Sequence, residues 1–506
     1  MHDPQDPSRR KTIKYLITGA VTATCPIPTS LFAAEVIPKH LGGEENTICH
    51  QVRDGATFKL PAASAQHDVV IVGGGPSGLM SAYKLHNADF LLLEKEPRFG
   101  GNAISEQWQG VWYSTGAAYQ MDDEVEALCR ELGMEIHRIR SVDAAIIHDQ
   151  LVPEFWGEGL WKSPYPEVVK KSWAQFFKDM KALDTEKNAE KLDNMTFAEL
   201  LDPYHPELKD FFDNFGPNNW GAPTEGTSAL VGAQSVTWGG GLEPNRYTWS
   251  GGLGMISRAL EQALNKSAAG KLKNNATVVQ IEPAGSKVNV SYSENGELKT
   301  VAARTVIIAC PKFIAKKLIR GLDEEHREAM EQMHYQPYMV VNVCFSSVIY
   351  NGSYDTNVPA PSPIVDFNVA DWVINRDNKT LTRPSVLTCY VPRPESERSQ
   401  LLDDAYVMRM GDRVVTLLDK WFPGSRKFVE EVHIYRRGHP MFVSGPGMLT
   451  RVSPIVRKPM GNIFFAHSDS EGAISEYSTA LRAADRCTKD VMAYLNQKAK
   501  ATTSGI

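Results

Sequence analysis

An apolar run that ends in a cluster of glycines constrains this chain more than any other feature. Residues 68–78 read DVVIVGGGPSG, which is a short β-branched stretch followed by glycines, a proline and a serine. A buried parallel strand, a tight glycine turn and a helix start together bring backbone N–H groups close to a pyrophosphate. The residues at the three G-x-G-x-x-G positions and at the helix start are Gly73, Gly75, Gly78, Pro76 and Ser77. The pattern predicts an α/β fold that binds a dinucleotide.

An acidic residue at the end of the next apolar run limits which dinucleotides the chain can bind. Glu94 follows the run Phe90–Leu93 and lies 21 residues after Gly73. This is the spacing of an acid that hydrogen-bonds the adenosine ribose hydroxyls. Because a carboxylate repels a 2′-phosphate, Glu94 argues against NADP.

The residues that follow Glu94 resemble a known family. Residues 94–101 read EKEPRFGG, which is similar to the E-x(5)-G-G extension of flavin-containing amine oxidases, protoporphyrinogen oxidases and phytoene desaturases. The resemblance implies FAD as the cofactor in place of NAD. The cofactor-binding positions that it assigns in this stretch are Glu94, Lys95, Gly100, Gly101 and Asn102. Asn102 departs from the family, which commonly has Arg or Lys there.

Three later motifs carry the same resemblance. Residues 115–118, TGAA, match a turn near the flavin and assign Gly116 and Ala117 to the cofactor site. Strand 277–281 matches the family strand whose backbone contacts adenine, here at Val278. Residues 461–472, GNIFFAHSDSEG, match the strand and acid that precede the last helix. The resemblance assigns Asp469, Ser475 and Glu476 to the cofactor, with the helix amides from about Ser475 facing the flavin.

The resemblance predicts a two-domain fold. It is an α/β architecture in which a Rossmann-type FAD-binding domain, discontinuous in sequence, has an α+β substrate domain inserted. The segments assigned to the FAD-binding domain are 66–120, 245–330 and 455–495, and those assigned to the substrate domain are 121–244 and 331–454. The remaining segments are a signal peptide at 1–34, a leader or linker at 35–65 and a tail at 496–506.

The N-terminus predicts export. Arg9 and Arg10 precede the weakly apolar residues 15–34, and this arrangement resembles a twin-arginine signal. We therefore expect a periplasmic or otherwise exported protein with no stable membrane span after signal removal. The net charge of -6 gives no electrostatic case for nucleic acid, and the scattered cysteines have no metal-ligand spacing.

The predicted reaction follows from the family and from departures within it. The resemblance implies transfer of a hydride equivalent from a small organic substrate to flavin N5. It places Asn342 where amine oxidases have a lysine, and Glu476 or Tyr477 where they have an aromatic beside the flavin. We take Asn342 and Tyr477 as the catalytic candidates, and His439 and His467 as possible acid–base groups. No cysteine occupies the family's thioether position, so FAD should be non-covalent.

Three interpretations stay open from the sequence. One is oxidation of an amine or amino acid. Another is a carotenoid-type desaturase or isomerase that passes electrons to a quinone or a protein. The last is a flavin-binding partner protein without turnover. A second dinucleotide fingerprint is absent from the sequence, so reduction by NAD(P)H is not indicated, and the acceptor can be oxygen, a quinone or a protein.

Overall fold

A computed structural model describes residues 37–44, 46–237, 245–472 and 474–503, with side chains up to residue 497 in the last range. The predicted signal at 1–34 lies outside these ranges, so the signal and the exported location stay predictions. Within the described ranges, no helix combines the length and the apolar character that a membrane crossing requires.

One sheet is built from the nucleotide-binding segments. Its buried strands are rich in Val, Ile and Leu, as expected for parallel strands covered on both faces. Among the described residues it contains β2 (Gln66–Val72), β3 (Phe90–Leu93), β10 (Leu272–Lys273), β11 (Ala276–Ala284), β12 (Lys287–Glu294), β13 (Glu297–Ile308) and β19 (Ile463–Phe465). The order is β10-β3-β2-β13-β12-β11, and β19 pairs with β13. These strands all lie within the segments assigned to the FAD-binding domain.

A second sheet is built from β1 and from strands in the segments assigned to the substrate domain. In the described residues its members are β1 (Lys39–Gly43), β7 (Ala144–Ile147), β8 (Gln150–Val152), β14 (Tyr335–Phe345), β15 (Asp355–Asn357), β16 (Asp366–Val369), β17 (Ser385–Pro392) and β18 (Val429–Phe442). The order is β1-β18-β14-β17-β16-β15-β7-β8. The remaining strands form two small two-stranded sheets, β4 (Ser105–Trp108) with β5 (Val111–Ser114) and β6 (His137–Arg138) with β9 (Tyr247–Thr248).

The helices cover both sheets. The N-terminal half contains α1 (Thr47–Arg53), α2 (Pro76–Lys84), α3 (Asp123–Glu131), α4 (Leu160–Lys162), α5 (Glu167–Ala182), α6 (Ala189–Asp193), α7 (Phe197–Leu201), α8 (Pro206–Asn219) and α9 (Ala229–Thr237). The C-terminal half contains α10 (Gly254–Ser267), α11 (Lys312–Leu318), α12 (Glu324–Glu331), α13 (Trp372–Asn375), α14 (Asp404–Trp421), α15 (Ser453–Val456) and α16 (Tyr477–Thr503). The mixture of parallel and antiparallel sheet with these helices agrees with the predicted fold class.

The leader expected at 35–65 is wrong for residues 39–53. β1 pairs in parallel with β18, and α1 follows it directly. The reason is that β18 would otherwise present an unpaired edge, which β1 covers. The tail at 496–506 also needs correction, because α16 continues to Thr503. In the first substrate segment, β7 and β8 extend the second sheet.

Candidate active site

A single large cavity gathers most of the predicted cofactor residues. Its volume is about 1120 Å³, slightly above the roughly 300–1,000 Å³ of typical small-molecule pockets. The predicted residues in its wall are Gly73, Gly75, Pro76, Ser77, Glu94, Lys95, Gly101, Asn102, Ala117, Val278, Ser475, Glu476 and Tyr477. Gly78, Gly100, Gly116, Asn342 and Asp469 lie outside the wall.

Gly78 and Gly75 of the fingerprint each need to be glycine, for different structural reasons. A Cβ on Gly78 would lie 1.8 Å from the Gly73 carbonyl oxygen, so this position allows α2 to pack against the turn. A Cβ on Gly75 would have Gly101 Cα, 3.8 Å away, as its nearest heavy atom. Because Gly75 and Gly101 both line the cavity, that Cβ would occupy space that is open to a ligand. Gly75 therefore provides the close backbone approach that a pyrophosphate needs.

Glu94 is positioned by the glycine turn itself. The N–H groups of Gly74 and Glu96 donate to its two carboxylate oxygens, at 2.5 and 2.8 Å. Burial raises the pKa of Glu94, and these two N–H donors act against that increase. The carboxylate is held at the end of β3 on the cavity wall, as an acceptor for a sugar hydroxyl must be.

The segment after Gly100 and Gly101 and the turn at residues 115–118 contact each other at the cavity wall. Asn102 lines the cavity and donates from Nδ2 to the Pro440 carbonyl at 2.7 Å, so its amide is tied to the second sheet. A Cβ on Gly116 would lie 2.2 Å from the Asn102 carbonyl oxygen. Close packing therefore explains why position 116 is glycine, whereas its neighbour Ala117 lines the cavity.

The start of α16 brings amides and an acid to the cavity. The helix begins at Tyr477, two residues later than predicted, and Ser475 and Glu476 precede it on the wall. The Tyr477 hydroxyl lies 3.2 Å from Ser257 Oγ, and the side chain is only 4% exposed. Its ring packs in the core next to α10 and also lines the cavity, and its catalytic role stays a prediction.

Glu476 carries the charge at this helix start. Burial raises the pKa of its carboxyl, and the Ser478 hydroxyl, 3.2 Å from Oε2, acts against that increase. The resemblance assigned Glu476 to the cofactor or to the place of an aromatic. The structure puts an acid on the cavity wall there.

Asp469, predicted to bind the cofactor, lies outside the cavity wall and is fully buried. Its Oδ1 accepts from Lys312 Nζ at 2.6 Å, and its Oδ2 accepts from Tyr335 Oη at 2.7 Å and from the Lys312 N–H at 2.9 Å. The side chains of Asp469 and Lys312 are both 0% exposed. Burial raises the pKa of Asp469, but His467 and Lys312 outweigh it and hold that pKa well below its usual range. The pair is buried together because an unpaired buried Lys312 would be too costly, and the cofactor-binding role of Asp469 stays a prediction.

Asn342 lies in β14 between Thr388 of β17 and His433 of β18. Its Oδ1 accepts from Thr388 Oγ1 at 2.7 Å, while its Nδ2 has no hydrogen-bond partner among the described residues. The side chain is fully buried and lies outside the cavity wall. Its catalytic role stays a prediction.

Buried acids lie behind the cavity, in the second sheet. Asp143 pairs with Arg246 at 2.7 Å, whereas Asp355 and Asp366 have no ion pair among the described residues. Tyr390 connects this region to the wall, since it donates to the Gly116 carbonyl at 2.8 Å. Burial raises the pKa of Asp355 well above its usual range, and repulsion from Asp366 and Asp143 adds to the effect.

The acid–base linkage of Asp366 gives a stability prediction. Burial raises its pKa from 3.8 to about 8, so the folded chain holds a proton there that the unfolded chain releases. Stability from this group is therefore full below about pH 4 and is lost as pH rises towards 8. We expect Asp366→Asn to stabilise the chain by roughly 1–3 kcal/mol at pH 9 and to change little at pH 4. Urea unfolding across this range measures it.

A matched control for that measurement is Asp377→Asn, because the Asp377 side chain is 90% exposed. The control should leave the pH dependence of unfolding as it is in the parent chain. An unchanged pH slope in Asp366→Asn would contradict the burial argument.

Part of the wall was missed by sequence reasoning. The segment after β1 contributes Glu44, Thr47, Cys49 and His50. No local pattern marks these residues as cavity-lining, because their position depends on β1 pairing with a strand near the other end of the chain. His439 was proposed as an acid–base group and does line the cavity. Its ring stacks on Phe313 at 3.9 Å between centroids, and burial lowers its pKa to about 3.

The chain's own residues fit an FAD. The open side of Gly75, the free first amides of α2, the buried Glu94 and the start of α16 line one continuous cavity. Pyrophosphate, ribose and flavin carbonyl each have a suitable group there. Arg437 lines the same cavity and donates to the Thr115 carbonyl and hydroxyl, which orders the turn before Ala117.

Comparisons with known proteins agree with this site. A family model described as flavin containing amine oxidoreductase matches residues 76–488. The oxidoreductase PigB of Serratia sp. is 23% identical, over 85% of this chain and 77% of that protein. Flavin-containing amine oxidase B of Bos taurus is also 23% identical, over 85% of this chain and 86% of that protein.

Solved structures have the same fold. Putrescine oxidase bound to putrescine superposes with a TM-score of 0.68 and 19% identity, over 85% of this chain and 99% of that one. Cyclohexylamine oxidase from Brevibacterium oxydans gives a TM-score of 0.69 and 19% identity, with the same coverage.

Proposed function

The chain belongs to the flavin-containing amine oxidoreductase family, and we propose that, as an FAD-dependent oxidoreductase of that family, it oxidises a small cationic amine. The observation that supports a cation is Glu476, a half-buried acid on the cavity wall where the resemblance expects an aromatic. A carboxylate in a water-poor site attracts an ammonium group strongly.

Different groups in the site would have different roles in such a reaction. When bound, the flavin would supply the acceptor for a hydride equivalent from the carbon next to nitrogen. Glu476 would hold the ammonium group and orient that carbon. Burial makes the Glu476 carboxyl more basic than usual, so it can also take the proton that the amine must lose. Val340, Val365 and Tyr390 pack together outside the cavity wall, where Tyr390 donates to the Gly116 carbonyl and so supports the turn before Ala117.

A non-covalent cofactor is part of the proposal. Cys49 and Cys310 both line the cavity, but burial raises the pKa of each thiol, to about 12 for Cys310. Because the thiolate is the nucleophile, these cysteines are poorly suited to attach a flavin. Acid precipitation of the holoenzyme should leave the flavin in the supernatant, and a yellow pellet would contradict this part.

The test of the function is anaerobic mixing of the holoenzyme with putrescine, cyclohexylamine and benzylamine. Loss of the oxidised flavin absorbance with an amine supports the proposal. Bleaching by no amine but by an unsaturated apolar substrate would favour the desaturase, which the apolar side chains around Tyr390 also suit. If no donor bleaches the flavin, the interpretation that remains is a flavin-binding partner protein without turnover.

Glu476→Gln is the sharpest variant for the cation hypothesis. Because the glutamine is neutral, we expect the KM of a bleaching amine to rise roughly 10- to 100-fold, as for loss of a charged hydrogen bond. The control is Glu395→Gln, since Glu395 lines the same cavity but already pairs with Arg398 at 3.0 Å. Equal KM values for the two variants would overturn the role of Glu476.

The electron acceptor belongs to the same proposal. Asn342 is a neutral amide where the family's lysine is expected, so no positive charge is supplied from that position. We therefore propose that a quinone or a protein accepts the electrons in preference to oxygen. Stopped-flow reoxidation of the reduced enzyme with oxygen and with a soluble quinone compares the two, and faster reoxidation by oxygen would contradict this preference.

A further inference from the structure

Two histidines and a glutamate meet where the N-terminal strand joins the second sheet. β1 runs parallel to β18, and the register places His40 directly opposite His433. Glu431 precedes His433 by two residues, so its side chain is on the same face of β18. The backbone pairing thus brings together residues that are far apart in the sequence.

The donor atoms of this group are close to one another. Glu431 Oε2 lies 2.7 Å from His433 Nε2 and 3.3 Å from His40 Nε2. The three ligand atoms lie within 4.8 Å of one another. Ligands of a tetrahedral zinc ion, at bond lengths of about 2.0 Å, are separated by about 3.3 Å. Small side-chain rotations are therefore enough to enclose an ion.

A supporting hydrogen bond orients one of the histidines. Tyr113 Oη lies 2.8 Å from His433 Nδ1 and 3.0 Å from Tyr435 Oη, and Tyr113 is buried. A proton on Nδ1 that is donated to the tyrosine leaves the Nε2 lone pair free for a metal. Such an outer hydrogen bond is the usual companion of a metal-binding histidine.

The group is open enough for an ion to enter. The side chains of His40, Glu431 and His433 are 58%, 33% and 15% exposed. Three ligands also leave one tetrahedral position for water. Nitrogen donors with a single carboxylate favour zinc and its neighbours in the first transition row over calcium or magnesium.

We propose that His40, Glu431 and His433 form a binding site for a divalent transition-metal ion, with Zn²⁺ as the representative ion. The ion would join β1 to β18 through their side chains. Because β1 continues into the segment that contributes Glu44, Thr47 and Cys49 to the cofactor cavity, the ion would also hold that part of the wall. This site lies outside the cavity wall and does not depend on the proposed amine oxidation.

The test uses the untagged full chain as holoenzyme and Zn²⁺ in competition with a zinc-sensitive chromophore. We expect one Zn²⁺ per chain at micromolar concentration or below. His40→Ala should weaken binding at least tenfold, and its exposed position makes misfolding an unlikely cause of the loss. Tyr113→Phe keeps all three ligands and should weaken binding about tenfold, the size of an outer-ligand effect.

The matched control is His148→Asn. His148 also faces a glutamate, Glu207, at 3.3 Å, but has no second histidine in that pair. The asparagine tolerates the positive φ of 48° at this position. The control should bind Zn²⁺ as the parent chain does. Absence of stoichiometric binding in the parent chain, or parental affinity in His40→Ala, would overturn the site.

A structural measurement accompanies the affinities. Zn²⁺ should raise the Tm of the parent chain and slow proteolysis within residues 37–53, and it should do neither in His40→Ala. Equal protection of both proteins would mean that the ion binds elsewhere, which also overturns the proposal.

Discussion

Replacing Lys312 by methionine is expected to destabilise the folded chain by about 3–5 kcal/mol, the cost of leaving one partner of a buried ion pair alone. Lys312 Nζ donates to Asp469 Oδ1 at 2.6 Å and to Ser470 Oγ at 2.7 Å. Removing the ammonium leaves the buried Asp469 carboxylate without its lysine partner, with His467 at 3.1 Å from Oδ1 and the remaining hydrogen bonds. Urea unfolding of the apoprotein at neutral pH measures the difference.

The control for this experiment is on the same helix. Lys316→Met makes the same chemical change in α11, but Lys316 has no carboxylate partner among the described residues and makes one long contact of 3.5 Å, to the Met330 carbonyl. We expect a loss of less than about 1 kcal/mol. If both variants lost the same stability, the Lys312–Asp469 pair would not be what matters in this region.

The second large effect separates folding from cofactor binding within the glycine turn. Gly78→Ala places a Cβ 1.8 Å from the Gly73 carbonyl oxygen, a distance that no backbone tolerates. We expect it to displace α2 and to prevent both stable folding and flavin binding. Gly75→Ala instead has 3.8 Å of clearance to its nearest heavy atom and should leave the apoprotein stable.

The outcome for Gly75→Ala depends on what occupies the cavity. Its added methyl enters the space where a pyrophosphate would approach the backbone, so we expect flavin affinity to fall about 100-fold or more. Urea unfolding of the apoproteins and flavin titration of the folded ones separate the two effects. Parental flavin affinity in Gly75→Ala would contradict the placement of the pyrophosphate at this turn.

Local patterns predicted the nucleotide-binding half well, for a physical reason. The turn after β2 and the acid after β3 depend on residues close in sequence, and Glu94 and Gly75 are on the cavity wall as expected. The FAD-binding role of each residue stays a prediction, but their convergence in one cavity is a property of the fold.

Long-range pairing limits what the sequence can predict elsewhere. Asp469 matches the family motif, but its partner Lys312 is 157 residues away, and no local pattern connects the two. The same holds for β1, whose contribution to the cavity wall follows from its pairing with β18. The same limit applies to the buried acids Asp355 and Asp366. Their sequence neighbours do not show that, among the described residues, neither acid has an ion pair.

The pairing of β1 with β18 also sets an order of assembly during synthesis. β1 is among the first described residues to leave the ribosome, yet its partner strand ends at Phe442. At about 5–20 residues per second, roughly 20–80 s separate the two. During that interval the edge of the cofactor cavity formed by residues 42–53 cannot be in place. A nascent chain therefore cannot close this edge before β18 is made, by which time the glycine turn and Glu94 have been synthesised for most of the translation time.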